Sequence, residues 1–135
     1  MFKGLKKILR FMGGQKETKR RGAYSIDRSM VANKWSEIEM LIQAGGASRL
    51  KTAILEADKL LDYTLMAKGL QGGTMGERLK SAEKMMSRMS YQAAWDGHKL
   101  RNRLVHELDA DVLHFEVKKG IENFRTVLKE LQALS

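Results

Sequence analysis

Apolar residues along this chain recur at intervals of three and four and are broken by glycine clusters, a rhythm that predicts helices. Ser25 or Asp27 is placed to cap a first helix carrying Val31, Trp35, Ile38, Leu41 and Ile42, which stops at Gly45-Gly46. Ser48 opens a second with Leu50, Ile54, Ala57, Leu61 and Leu65 on one stripe, ending at Gly69. After Gln71-Gly72-Gly73, the run Thr74-Met75-Gly76-Glu77 has the form of a capping box, and its helix carries Leu79, Ala82, Met85, Met86 and Met89. Ser90 is placed to cap a fourth helix running through Trp95 and Leu100 to Val105. Asp109 or Asp111 opens the last, with Val112, Phe115, Val117, Ile121, Phe124, Val127, Leu128 and Leu131. No segment alternates as a half-buried strand does, and no internal repeat is visible. The expected fold is an all-α, up-and-down bundle of four or five helices over residues 23–135. Its methionines read as adaptable core filler, and Trp35 and Trp95 as core or interface anchors.

Composition sharpens this picture without changing it. A chain of 135 residues suits one domain with a single core. The absence of proline fits unkinked helices. The absence of cysteine excludes disulfides, thiolate metal sites and thiol nucleophiles, and suits a reducing compartment. Charge is uneven. Residues 1–22 hold eight basic side chains against Glu17 alone, a net of +7, which leaves +2 of the total +9 for the remainder. Within that segment Phe2, Leu5, Ile8, Leu9 and Met12 form an apolar stripe opposite Lys3, Lys6, Lys7 and Arg10. This is too interrupted for a signal peptide and too polar to span a bilayer. It suits a helix lying at a membrane surface, with Phe2, Leu5, Lys6, Ile8 and Leu9 as contacts. A solubilising basic terminus or a loose contact with RNA phosphates is the simpler account. Gly13-Gly14 ends the stripe, and the polar run to Gly22 reads as a linker.

Candidate chemistry concentrates between His98 and Glu107, where two histidines, Asn102, Arg101 and Arg103 crowd together beside Trp95. His98, Asn102 and His106 lie four apart, stepping by about 40° on one helical face. Arg101 sits about 140° round from His106, so cooperation between them needs a helix end near Val105 or a second copy of the chain. His98 and His106 are about 12 Å apart along a helix, too far to chelate one ion, so neither a metal nor another cofactor is expected. The glycines at 72, 73 and 76 lack the Lys-Ser/Thr of a phosphate-binding loop, and no nucleophile elbow occurs. Glu56, Asp58 and Asp62 read as a solvated acidic face, with Asp62 placed to steady a histidine from a neighbouring helix. On the residues alone, the Arg-Asn-Arg-Leu-Val-His segment is accounted for as a helix end. Cations favour the C-terminal dipole, and the polar side chains are satisfied locally.

Arg101-Asn102-x-x-x-His106, just before the final helix, also resembles the Arg-x4-6-His signature of the HEPN superfamily, in which a polar residue commonly follows the arginine. The segments 54–62, 74–80 and 94–102 are similar to those of small bacterial proteins of HEPN-like type, some with a membrane-associating N-terminal segment. The resemblance spans about residues 27–133. It implies a metal-independent endoribonuclease built as a homodimer, in which the ribose 2′-OH of RNA is the nucleophile. His106 would move the proton, Arg101 would stabilise charge on the phosphate, and Asn102 would orient His106 or bind phosphate. His98 and Arg103 would support the site or contact the RNA backbone. A toxin-antitoxin or phage-defence role, with a protein partner such as an antitoxin, follows from the same resemblance. The expected location is cytoplasmic, peripheral on the inner face of the membrane. The competing expectation is a non-catalytic dimeric interaction module held at the membrane through its N-terminal segment.

Overall fold

The computed structural model describes residues 23–107 and 113–135, and every described element is helical. Helix α1 (Arg28–Ala44) is followed by α2 (Ala47–Ala67), α3 (Met75–Ser81), a 3-10 turn (Glu83–Met85), α4 (Arg88–His106) and α5 (His114–Glu130). The expected all-α bundle is therefore observed. None of the described helices is long and apolar enough to cross a membrane. The basic segment with Phe2, Leu5, Lys6, Ile8 and Leu9 lies outside the described residues, as do Asp109 and Asp111.

Helix boundaries follow from local chemistry. Asp27 caps α1, its Oδ1 accepting from the Met30 amide at 3.0 Å. Gly45 and Gly46 take φ of 71° and 91°, which permits a two-residue turn into α2 that a side chain would strain. Thr74 caps α3 through the Glu77 amide, as the capping-box pattern predicts. Glu77 reaches back to the Gly73 amide at 2.7 Å, one residue earlier than the usual pattern.

Two boundaries differ from expectation. The third helix does not continue to Met89: it ends at Ser81, and the chain unwinds through the 3-10 turn to an extended Met86. Ser87, rather than Ser90, then caps α4, accepting from the Ser90 amide at 3.1 Å. Met89 consequently falls on the outer face of α4 and is exposed, so of Met85, Met86 and Met89 only Met86 is buried. At α5, Leu113 occupies the cap position without a side-chain bond. Phe115 points outward, because the buried stripe begins at Val117, about 200° further round, and continues through Ile121, Phe124 and Leu128.

Helix α2 is the centre of the bundle and packs against α1, α3, α4 and α5. Its stripe of Leu50, Ile54, Ala57, Leu61 and Leu65 meets Val31, Trp35 and Ile38 of α1 and the apolar face of α5. Helices α4 and α5 form the most extensive helix pair, and they approach closely at two glycines. A Cβ on Gly97 would lie 2.8 Å from the Phe124 ring, and one on Gly120 would lie 2.8 Å from Leu100. This closeness presents the last turns of α4 to α2 on one side and to α5 on the other.

Candidate functional site

Helix α4 carries the candidate residues, and the neighbouring helices divide them by face. Asp58 of α2, 6% exposed, sits on the apolar stripe of its own helix and points at α4. Nδ1 of His98, itself 7% exposed, donates to Oδ1 of Asp58 at 3.0 Å, the carboxylate being an acceptor only. The second oxygen of Asp58 lies 3.7 Å from Nε of Arg101, an ionic contact too long for a hydrogen bond. Nη1 of Arg101 donates to Oδ1 of Asn102 at 3.0 Å. Trp95 and His98 meet edge-to-face at a centroid distance of 5.9 Å, and Tyr91 in turn meets Trp95 at 6.3 Å. The arrangement is a supported cluster. A buried carboxylate holds a buried imidazole, steadies a guanidinium that is one-third exposed, and thereby fixes the Arg101–Asn102 pair at the surface of α4.

Asp62, one turn beyond Asp58, does not steady a histidine. It takes Arg78 of α3 in a two-pronged bond, Nε to Oδ1 at 2.6 Å and Nη2 to Oδ2 at 2.9 Å, while Nη1 of Arg78 donates to the carbonyl of Gly72 at 2.6 Å. That pairing, led by the Asp62 hydrogen bonds, holds the Arg78 guanidinium above its ordinary pKa and locks the 71–73 loop to α2. The histidine-bearing role expected of Asp62 belongs instead to Asp58. The signal was present in the sequence, because an acid in register with Ile54, Leu61 and Leu65 on a core stripe requires a buried partner.

The remaining candidates lie elsewhere on α4. Arg103 faces α5, with Nη2 at 3.0 Å from Oε2 of Glu116. The pair is ionic without being aligned: Nε and Nη2 of Arg103 are buried and neither makes a hydrogen bond. His106 is exposed in the final turn, and no hydrogen bond or ion pair joins it to the described residues. Asn102 is engaged by Arg101 and not by His106. Helix α4 runs through His106 before Glu107 ends it, so Arg101 and His106 keep their helical separation of about 140° and do not converge within one chain. Among the described residues no group of three His, Asp or Glu side chains is placed to hold a metal ion. Asp58 is buried and not part of a solvated face as expected, and Glu116 is not singled out by the sequence at all. Its partner lies across a helix pair whose register no local pattern reveals.

Compared with protein families, with characterised proteins and with solved structures, the chain has no significant match.

Proposed function

We propose that the protein is a metal-independent endoribonuclease of HEPN type, acting as a homodimer. The observation that carries this reading is the preformed cluster in which buried Asp58 and His98 fix Arg101 and Asn102 at the surface of α4, five and four residues ahead of an exposed His106. Catalytic groups held by a buried supporting shell on a rigid helix have the preorganisation that phosphate chemistry requires. In the proposed reaction His106 takes the proton of a ribose 2′-OH, whose oxygen attacks the adjacent phosphorus. The 5′-oxygen of the next nucleotide departs and takes a proton from water, leaving a 2′,3′-cyclic phosphate. Arg101 stabilises the charge that builds on the non-bridging oxygens, and Asn102 holds the guanidinium plane. Because Arg101 and His106 diverge within one chain, each site takes its arginine from one copy and its histidine from the other.

The proposed setting is a bacterial toxin-antitoxin or phage-defence system, with a protein partner controlling the enzyme. The basic segment 1–22 holds the protein at the inner face of the membrane through anionic lipid. A second reading, a non-catalytic dimeric module, draws on one observation: Arg101 already has two intramolecular partners, Asp58 and Asn102. Cleavage of a mixed-sequence RNA in EDTA by wild type and His106→Ala separates the two. Loss of cleavage in the variant alone supports the ribonuclease, whereas no cleavage by a folded, dimeric wild type supports the module.

A further inference from the structure

The groove between α4 and α5 lies on the other side of α4 from Asp58, and its contents are chemically lopsided. It encloses about 530 Å³, in the range of small-molecule and nucleotide sites. Its floor is Leu100 packed against Gly120, whose missing side chain lets the two helices close on each other beneath the groove. The acids that border it are engaged: Glu116 is held by Arg103, and Asp96 accepts from Gln92 at 2.9 Å. Two of its three cations are not. Lys99 and Lys119 have no hydrogen bond or ion pair among the described residues, and two donors of Arg103 are unsatisfied. At one end stands Phe115, 70% exposed, a large aromatic surface that the core does not use. Two free ammonium groups, an under-satisfied guanidinium and a bare ring around one groove form a receptor for an anion that also carries a flat apolar group. A mere solvated helix face would not need the ring.

His106 belongs to this same side. It lies about 60° round the helix from Arg103 and about 20° from Lys99, whereas Arg101 is turned toward α2. A strand laid along Lys99 and Arg103 therefore leads to His106.

We infer that the α4–α5 groove is a binding site for a single-stranded RNA segment, with Phe115 stacking on a base and Lys99, Arg103 and Lys119 meeting its phosphates. The choice of RNA rests on the ribonuclease reading, while the groove itself rests on the cavity, the free cations and the exposed ring. Aromatic stacking beside a basic track is how sequence-tolerant single-strand binding is built.

The test uses the full chain and a single-stranded oligonucleotide of 2′-O-methyl nucleotides containing one 4-thiouracil base. Such a strand lacks the nucleophile and cannot be cleaved, so binding is read independently of catalysis. Ultraviolet crosslinking is expected to attach the probe to the peptide bearing Phe115. Phe115→Ala is expected to weaken binding about tenfold, and Phe115→Trp to restore it. Lys99→Glu with Lys119→Glu is expected to weaken binding further and to flatten its salt dependence by one to two phosphate contacts, on the order of 0.7 in slope for each. Crosslinks confined to residues 1–22, with Phe115→Ala binding unchanged, would overturn the groove. So would a Phe115→Ala variant whose only effect is on oligomeric state, because the ring would then be a contact between copies. Cleavage of unmodified RNA by the same wild-type preparation separates the two ideas. Cleavage without groove crosslinks leaves the ribonuclease standing and the groove refuted, and groove crosslinks without cleavage do the reverse.

Discussion

Asp58 places one carboxylate between an imidazole, which it holds by a hydrogen bond, and a guanidinium, which it holds by charge. An amide in its place still accepts from His98 but has no charge for Arg101. Asp58→Asn is therefore expected to cost about 1–3 kcal/mol of stability, the range for disturbing a buried hydrogen-bonded pair. If Arg101 acts on phosphate, its misplacement is expected to lower cleavage on the order of ten- to a hundredfold, more in kcat than in KM. Thermal unfolding and cleavage measured on the same variant decide the matter. A fall in melting temperature with cleavage unchanged makes Asp58 a structural residue only. At this scale the sequence was legible in type and off by one turn in partner. The sequence points to His98 as a supporting residue and to Asp62 as a holder of some histidine, but a helical face seen alone does not say which of Asp58 and Asp62 meets α4 and which meets Arg78.

At the scale of elements, the junction between α3 and α4 is secured by an interaction that crosses 40 or more residues. Glu130, at the end of α5, accepts from the Ser87 amide at 2.6 Å, from the Ser87 hydroxyl at 2.9 Å and from the Ser90 hydroxyl at 2.6 Å. These bonds, that from Ser90 foremost, hold the Glu130 carboxyl below its ordinary value of 4.5. A carboxyl lowered on folding contributes stability that is fully present above pH 4.5 and is lost as pH falls through the lowered value. Glu130→Gln is expected to remove that contribution, so wild type and variant should differ in melting temperature at pH 7 and converge under acid. Parallel curves through the acid range would exclude Glu130 as the source. The start of α4 is not legible locally: Ser87 and Ser90 are equivalent as caps by type, and the Ser87 amide is tied to Glu130, a contact 43 residues away in sequence. The helix pairing makes a sharper prediction at Gly97. Alanine there gains at most about 1 kcal/mol of helix propensity, but its methyl would press on Phe124, which is fully buried. Overpacking of this kind costs about 1–3 kcal/mol, so Gly97→Ala should melt lower by on the order of 5 °C by circular dichroism.

Across the whole molecule, the helical period of the apolar residues was sufficient to read an all-α bundle, because α1, α2 and α5 each bury one stripe and show water the other. What periodicity does not carry is the relation between copies, and the proposed chemistry turns on that relation. Arg101 and His106 leave α4 in different directions, so a site shared across a two-fold axis makes a prediction that a site within one chain does not. Arg101→Ala and His106→Ala, each inactive alone, are mixed in equal amounts, unfolded together and refolded. Half of the dimers are then mixed, and each mixed dimer holds one doubly altered site and one intact site. Cleavage should return to about a quarter of the wild-type level. If each chain supplied its own arginine and histidine, every site in the mixture would lack one of them and no activity would return. Recovery near a quarter therefore assigns the two residues to opposite copies. Its absence, with native mass spectrometry confirming mixed dimers, would overturn the assignment of Arg101 and His106 to opposite copies.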